Sequence, residues 1–138
     1  MSNSIWHQAP DIALINGPMN RGTIGEHLDI NVTEVGDDFL RGTMPADHRT
    51  FQPYKVVHGG ANVVLAETLG SIAGAHAIDM TKFKCLGQEV SATHLRPVTS
   101  GLVVGTARPI HLGRRSHVWE IRLENGEGKL TCLAKLIL

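Results

Sequence analysis

Two hydrophobic periodicities divide the chain. From His27 to Met44 apolar and polar residues alternate: Leu28, Ile30, Val32 and Val35 stand against Asp29, Asn31 and Glu34, and residues 39–44 resume after a Gly36-Asp37-Asp38 turn. Period two around a tight turn predicts a β-hairpin, closed by Pro45. Residues 61–78 follow another rule: no proline interrupts, Ala and Leu outnumber β-branched residues, and apolar side chains fall on every side of a helical wheel. That pattern predicts one long helix, buried all round. Four runs rich in Val, Ile, Leu or Thr then predict strands at 84–95, 102–111, 117–123 and 130–137. The breaks are Arg96-Pro97 through Gly101, Gly113, and Asn125-Gly126-Glu127-Gly128. Residues 1–22 contain a short amphipathic piece at 12–15 and a Gly17-Pro18 loop, and read as an extension before one domain, 23–138.

A helix apolar on all sides must be covered, and an antiparallel sheet curling around it is the economical cover. The fold class is therefore α+β, in the hotdog arrangement of one long central helix and a curved antiparallel sheet. Gly70 and Gly74, four apart, let the sheet approach closely.

Chemistry concentrates in residues 58–79. Between the glycine pair Gly59-Gly60 and Asp79 the only ionisable side chains are Glu67 and His76. A charged carboxylate inside an apolar helix costs several kcal/mol unless it is paired, so it is either satisfied or used. Gly59 and Gly60 sit where a helix begins, with N–H groups that have no partner within it and can hold an anion or polarise a carbonyl. Glu67 follows Gly59 by eight residues, roughly 12 Å along a helix axis. One reacting carbonyl cannot touch both. A second copy with its helix antiparallel brings Gly59 of one chain to Glu67 of the other, which predicts a homodimer with two shared sites.

At 138 residues the chain is long enough for one core. Thirteen basic and thirteen acidic residues cancel, so neither a net field nor a basic run points to nucleic acid. Cys85 and Cys132 lack metal or redox spacing, and no apolar segment approaches membrane length. These features suggest a soluble cytoplasmic protein without a membrane partner. Eight histidines show no zinc-type spacing, so no metal is expected. No G-x-S-x-G elbow is present, which removes an α/β-type serine hydrolase.

The segments GDDFLRGTMPAD, QPYKVVHGGANVVLAETLGS, ATHLRPV, PIHLGRRSHVWEI and GKLTC resemble the hotdog acyl-CoA thioesterases. The resemblance runs roughly from Leu28 to the C-terminus. It is to the 4-hydroxybenzoyl-CoA thioesterase superfamily, in the branch acting on dihydroxynaphthoyl-CoA or proofreading enterobactin assembly. It implies hydrolysis of acyl-CoA thioesters, aromatic ones in particular, without a cofactor, coenzyme A being part of the substrate. It also implies that two double-hotdog dimers join as a homotetramer. In this reading Glu67 attacks the thioester or activates water, and the Gly59 N–H polarises the carbonyl. His58 orients the acyl group or the amide. The family motif places Gln52 on the thioester oxygen or the water, and Ser71, one turn after Glu67, resembles the hydroxyl that positions water. His94 lines the mouth of the site. Arg114 and Arg115, with the adjacent Ser116, are expected to meet the phosphates of coenzyme A, which guanidinium groups match. Tyr54 and Lys55 stand where these sequences carry Phe and Gly, and His76 replaces an apolar or aromatic residue. Three alternatives fit the same residues: hydrolysis of acyl groups misloaded on a carrier protein, a hotdog dehydratase, and a non-enzymatic acyl-CoA-binding module. The spacing from His58-Gly59-Gly60 to Glu67 favours hydrolysis over dehydration.

Overall fold

The long helix is the element every strand but one packs against. In the computed structural model, which describes residues 3–138, the chain forms α1 (Ile12–Asn16), α2 (Ile24–His27), β1 (Asn31–Val35), β2 (Leu40–Pro45) and α3 (Gly59–Ala77). It continues with β3 (Glu89–His94), β4 (Leu102–Leu112), β5 (His117–Glu124) and β6 (Leu130–Ile137). The six strands make one sheet in the order β1-β2-β4-β5-β6-β3, every pairing antiparallel. Helix α3 lies on β2 to β6, the hotdog arrangement. The first two residues of the expected 1–22 extension lie outside the described residues. The rest contributes Ile15 to the core, and Trp6 donates from Nε1 to the Gly36 carbonyl at 2.8 Å.

Small residues bring helix and sheet together. Gly42 on β2 and Gly105 on β4 are cross-strand partners, and a Cβ on either would stand 2.7 Å from a Leu69 methyl. Leu69 thus enters a hole made by two missing side chains and is fully buried. From the helix side, a Cβ on Gly70 would meet Leu136 at 2.6 Å, and one on Gly74 would meet Leu138. Contacts this close fix the helix against the sheet in register and depth, because interiors pack at crystal density.

Three expectations need correction. The strand expected at 84–95 begins only at Glu89, and residues 78–88 form no strand. The alternating pattern from His27 starts later, because Ile24–His27 is helical: Thr23 caps it by accepting from the Glu26 N–H, while the Glu26 carboxylate takes the Gly22 N–H. And α3 is not buried all round within one protomer. Val64, Glu67, Thr68, Ser71, Ile72 and Ala75, spaced three and four apart, form a half-exposed stripe.

Buried beside the last turns of α3, His117 accepts a hydrogen bond at Nδ1 from Trp119 Nε1 (3.4 Å). Burial, and secondarily the nearby His111, lowers its pKa below the ordinary imidazole value. The unfolded chain then binds this proton more readily than the folded one. The stability His117 contributes is complete above the unfolded imidazole range near 6.5 and is lost as pH falls below it. Protonation at Nδ1 also removes the acceptor for Trp119. Urea unfolding should therefore show a midpoint that drops more between about pH 7 and about pH 5 in the wild type than in His117→Gln.

Candidate active site

The N-terminus of α3 is built by its cap. His58 has extended backbone (φ −61°, ψ 134°), and its Nδ1 accepts from the Gly60 N–H at 2.7 Å. Its carbonyl takes the N–H groups of Ala61 and Asn62. The Gly59 N–H makes no hydrogen bond among the described residues and points out of the positive end of a 19-residue helix. His94, the last residue of β3, brings its ring over this glycine: a Cβ on Gly59 would stand 2.9 Å from Nε2. His58, Gly59 and His94 are thus one cluster.

Gln52 lies on the loop that leads into α3, which is tied to the helix start by the His58 N–H donating to Thr50 O. Thr50 donates to the Pro45 carbonyl at 2.7 Å, Phe51 bridges Val57, and the Lys55 N–H returns to Gln52 O. Lys55 sits at φ +62°, a conformation glycine adopts without steric cost. Glycine is also what the resembling sequences carry there. The Arg49 fork grips Asp47 at the start of the loop, and that side-chain hydrogen bond holds the Asp47 carboxyl down to about 2. The Gln52 Oε1 accepts the Tyr54 N–H. Its carbonyl is committed to its own turn, and its amide N–H groups remain the donors it can offer.

Glu67 lies on the half-exposed stripe of α3, not in this cluster. Its Oε2 rests against Gly87 so closely that a Cβ there would fall 2.1 Å away. Glu67 shares a groove of about 380 Å³ with Ile24, Val64, Thr68 and Ser71. Ile24, Thr68 and Ser71 also line a second cavity of about 250 Å³ beneath α1, α2 and β1. Its walls are mainly Ile15, Met19, Ile24, Ile30, Val32 and Ile72. The polar residues among its walls are largely spent on the fold: Asn16 bonds both the N–H and the carbonyl of Val32 at 2.8 Å, and Asn20 bonds Ile30 O. The cavity therefore offers an apolar interior beside a carboxylate.

Arg114 and Arg115 are exposed on the turn between β4 and β5, where the half-buried Ser116 accepts from the Gly113 N–H. The next residue, His117, faces Gly74. The pair therefore lies near the C-terminal half of α3, fifteen residues or roughly 22 Å along the axis from Gly59. One protomer thus holds three separate groups: Gly59 with its histidines, Glu67 with Ser71, and the arginines. Among the described residues no cluster of three His, Cys, Asp or Glu side chains could hold a metal ion, and no helix is long and apolar enough to cross a membrane.

Two residues that sequence reasoning passed over matter here. Gly87 interrupts a strand-like run, a known mark of close approach by a backbone or ligand. Asn62 is a neutral polar residue in the buried helix, missed because only ionisable groups drew notice.

Residues 54–132 match the family model of the Thioesterase superfamily. Over 133 residues the chain is 44% identical to a proofreading thioesterase of Cronobacter turicensis, covering 96% of this chain and 95% of that one. Over 132 residues it is 41% identical to the 1,4-dihydroxy-2-naphthoyl-CoA hydrolase of Escherichia coli, covering 96% of each. A crystal structure of a Pseudomonas aeruginosa thioesterase, carrying alanine in place of one glutamine, superposes with a TM-score of 0.95 at 46% identity. That match covers 97% of this chain and 96% of the other.

Because Gly87 is exposed yet abuts the carboxylate, Gly87→Ala should displace Glu67 while leaving the thermal midpoint within about 2 °C of wild type. In a thioester-hydrolysis assay its kcat should fall by about 10²-fold, the scale on which small misplacements act.

Proposed function

Because this chain belongs to the thioesterase superfamily, and so hydrolyses thioesters, we propose that its substrates are coenzyme A thioesters of compact, aromatic acyl groups. The observation that carries this reading is the placement of Glu67 in a groove that adjoins an apolar cavity of about 250 Å³. At about 30 Å³ per water-sized unit, such a cavity accepts on the order of eight non-hydrogen atoms, the size of a benzoyl group, and a larger ring system extends into the adjoining groove lined by Glu67.

The site needs two chains. Strand β3 has its first residues next to Gly87, and hence Glu67, and its last residue, His94, over Gly59. Among the described residues it is also an edge of the sheet, paired only with β6. The other edge, β1, is covered by Asn16. An uncovered edge strand is a template for pairing with another chain. Antiparallel pairing of β3 with its own copy lays the Glu67 end of one chain beside the Gly59 end of the other, twice per dimer. Two such dimers then associate as a tetramer, as the resemblance implies.

In that assembly the thioester oxygen accepts from the Gly59 N–H at the positive end of α3. The amide of Gln52 holds the same oxygen or the incoming water, and His58 orients the acyl group. The partner subunit's Glu67 acts in one of two ways. As a base it takes a proton from water, whose oxygen adds to the acyl carbon; as a nucleophile it forms an anhydride that water then opens. In either course the carbon–sulfur bond breaks, the sulfur leaves as thiolate and takes up a proton, and the acyl group ends as a carboxylate. Ser71, on the same face, orients the water. Arg114, Arg115 and Ser116 meet the phosphates of coenzyme A, and the chemistry requires no cofactor. The Cronobacter relative's proofreading role raises carrier-protein thioesters as a second substrate class; exposed arginines that suit nucleotide phosphates favour coenzyme A.

Thiol release from benzoyl-, dihydroxynaphthoyl-, hexanoyl- and palmitoyl-CoA tests this directly. The aroyl substrates should turn over fastest and palmitoyl-CoA least, and Glu67→Ala should lower kcat on the best by about 10²–10⁴-fold. Binding of coenzyme A thioesters without release from any of them would leave a binding module instead.

A further inference from the structure

Asn62 lies one turn into α3, is only 5% exposed, and its Oδ1 has no hydrogen-bond partner among the described residues. An unpartnered buried oxygen carries a desolvation cost that an apolar residue would avoid. Something must repay it. The amide Nδ2 lies 3.3 Å from Nδ1 of His94.

A neutral imidazole has one N–H and one lone pair, so this contact can be made in two ways. If Nδ2 donates to Nδ1, the histidine proton sits on Nε2, and Oδ1 and one amide N–H lack partners. If the amide is turned over, Nδ1–H donates to Oδ1 and both N–H groups of the amide are stranded. Stranded buried N–H groups are rarer than under-satisfied carbonyl oxygens. The first arrangement is favoured, and it leaves Nε2–H as the free donor on the edge of the ring beside Gly59.

We propose that Asn62 is a positioning residue that holds His94 as an Nε2–H donor next to the Gly59 N–H, so that the thioester oxygen meets two donors. This rests on the reading of Gly59 as a carbonyl donor given above. His58 follows the same logic: its Nδ1 is occupied by the Gly60 N–H, which places its proton on Nε2.

The tautomer is directly observable in long-range ¹⁵N–¹H correlation spectra, with His94→Gln used to assign the His94 signals. Wild type should show an unprotonated Nδ1. Asn62→Asp presents only acceptors at this position and should draw the proton onto Nδ1, as well as lower kcat by about 10²-fold. Because the lost interaction forms in the transition state, KM should change little. Asn62→Leu, which imposes neither tautomer, should lose less. A wild-type His94 protonated on Nδ1 overturns the proposal, as does an Asp variant that keeps the wild-type tautomer and kcat. Should an Asn62 variant fail to fold, the wild-type spectrum still decides. If the wild type hydrolyses no thioester, the assignment of the site fails, while the spectrum still decides the Asn62–His94 pairing.

Discussion

The distance between Gly59 and Glu67 is set by helix rise, and no side-chain motion can close it. Nineteen residues of α3 are locked to the sheet through Leu69 between Gly42 and Gly105, and through Gly70 and Gly74. The donor at one end and the carboxylate midway are therefore held roughly 12 Å apart. Rigidity of this kind is what a preorganised site requires. In the proposed reading it also keeps one protomer from completing the site, which a second copy paired along β3 completes. The stripe that leaves Glu67 half-exposed belongs to the same solution, since a helix sealed on every side could not present a carboxylate to substrate.

Around that fixed axis the rest of the chain acts as walls. The N-terminal helices close a cavity beside Glu67 and are clipped to β1 by Asn16, which also blunts that edge of the sheet. The loop of residues 47–58 delivers Gln52 and ends in the histidine that caps α3. Residues 78–88 return the chain across the carboxylate at Gly87. The segments of least regular structure thus decide what reaches the site, as is usual where a rigid scaffold carries function on loops.

Much of this was legible in the sequence. Alternation over 28–44 and the unbroken apolar run after Gly60 identify the hairpin and helix within two or three residues. The HGG-to-glutamate spacing locates the start of α3 and the one carboxylate on that helix, Glu67. The open stripe on α3 was only partly legible: Glu67, Thr68 and Ser71 mark it, while Val64, Ile72 and Ala75 in the same stripe are as apolar as residues that face the core. The start of α3 was legible from the Gly59-Gly60 pair, although its cap is His58, where Ser, Thr, Asp and Asn are the ordinary signals. By contrast, the Thr23–Glu26 capping box was readable and would have revealed α2. Residues 84–88 carry a strand-like composition but join no strand, and Gly87 there abuts Glu67.

The most direct test of a site shared between chains is subunit mixing. Glu67→Ala removes the carboxylate. Gly59→Pro removes the donor, at a first helical position where proline is otherwise accepted. Each variant alone should be inactive, and after verified exchange the mixed dimer carries one site with both groups intact. Thiol release from an aroyl-CoA that rises above both parents, toward about a quarter of the wild-type value in an equal mixture at random exchange, is the predicted result. Exchange without recovered activity would contradict a two-chain site.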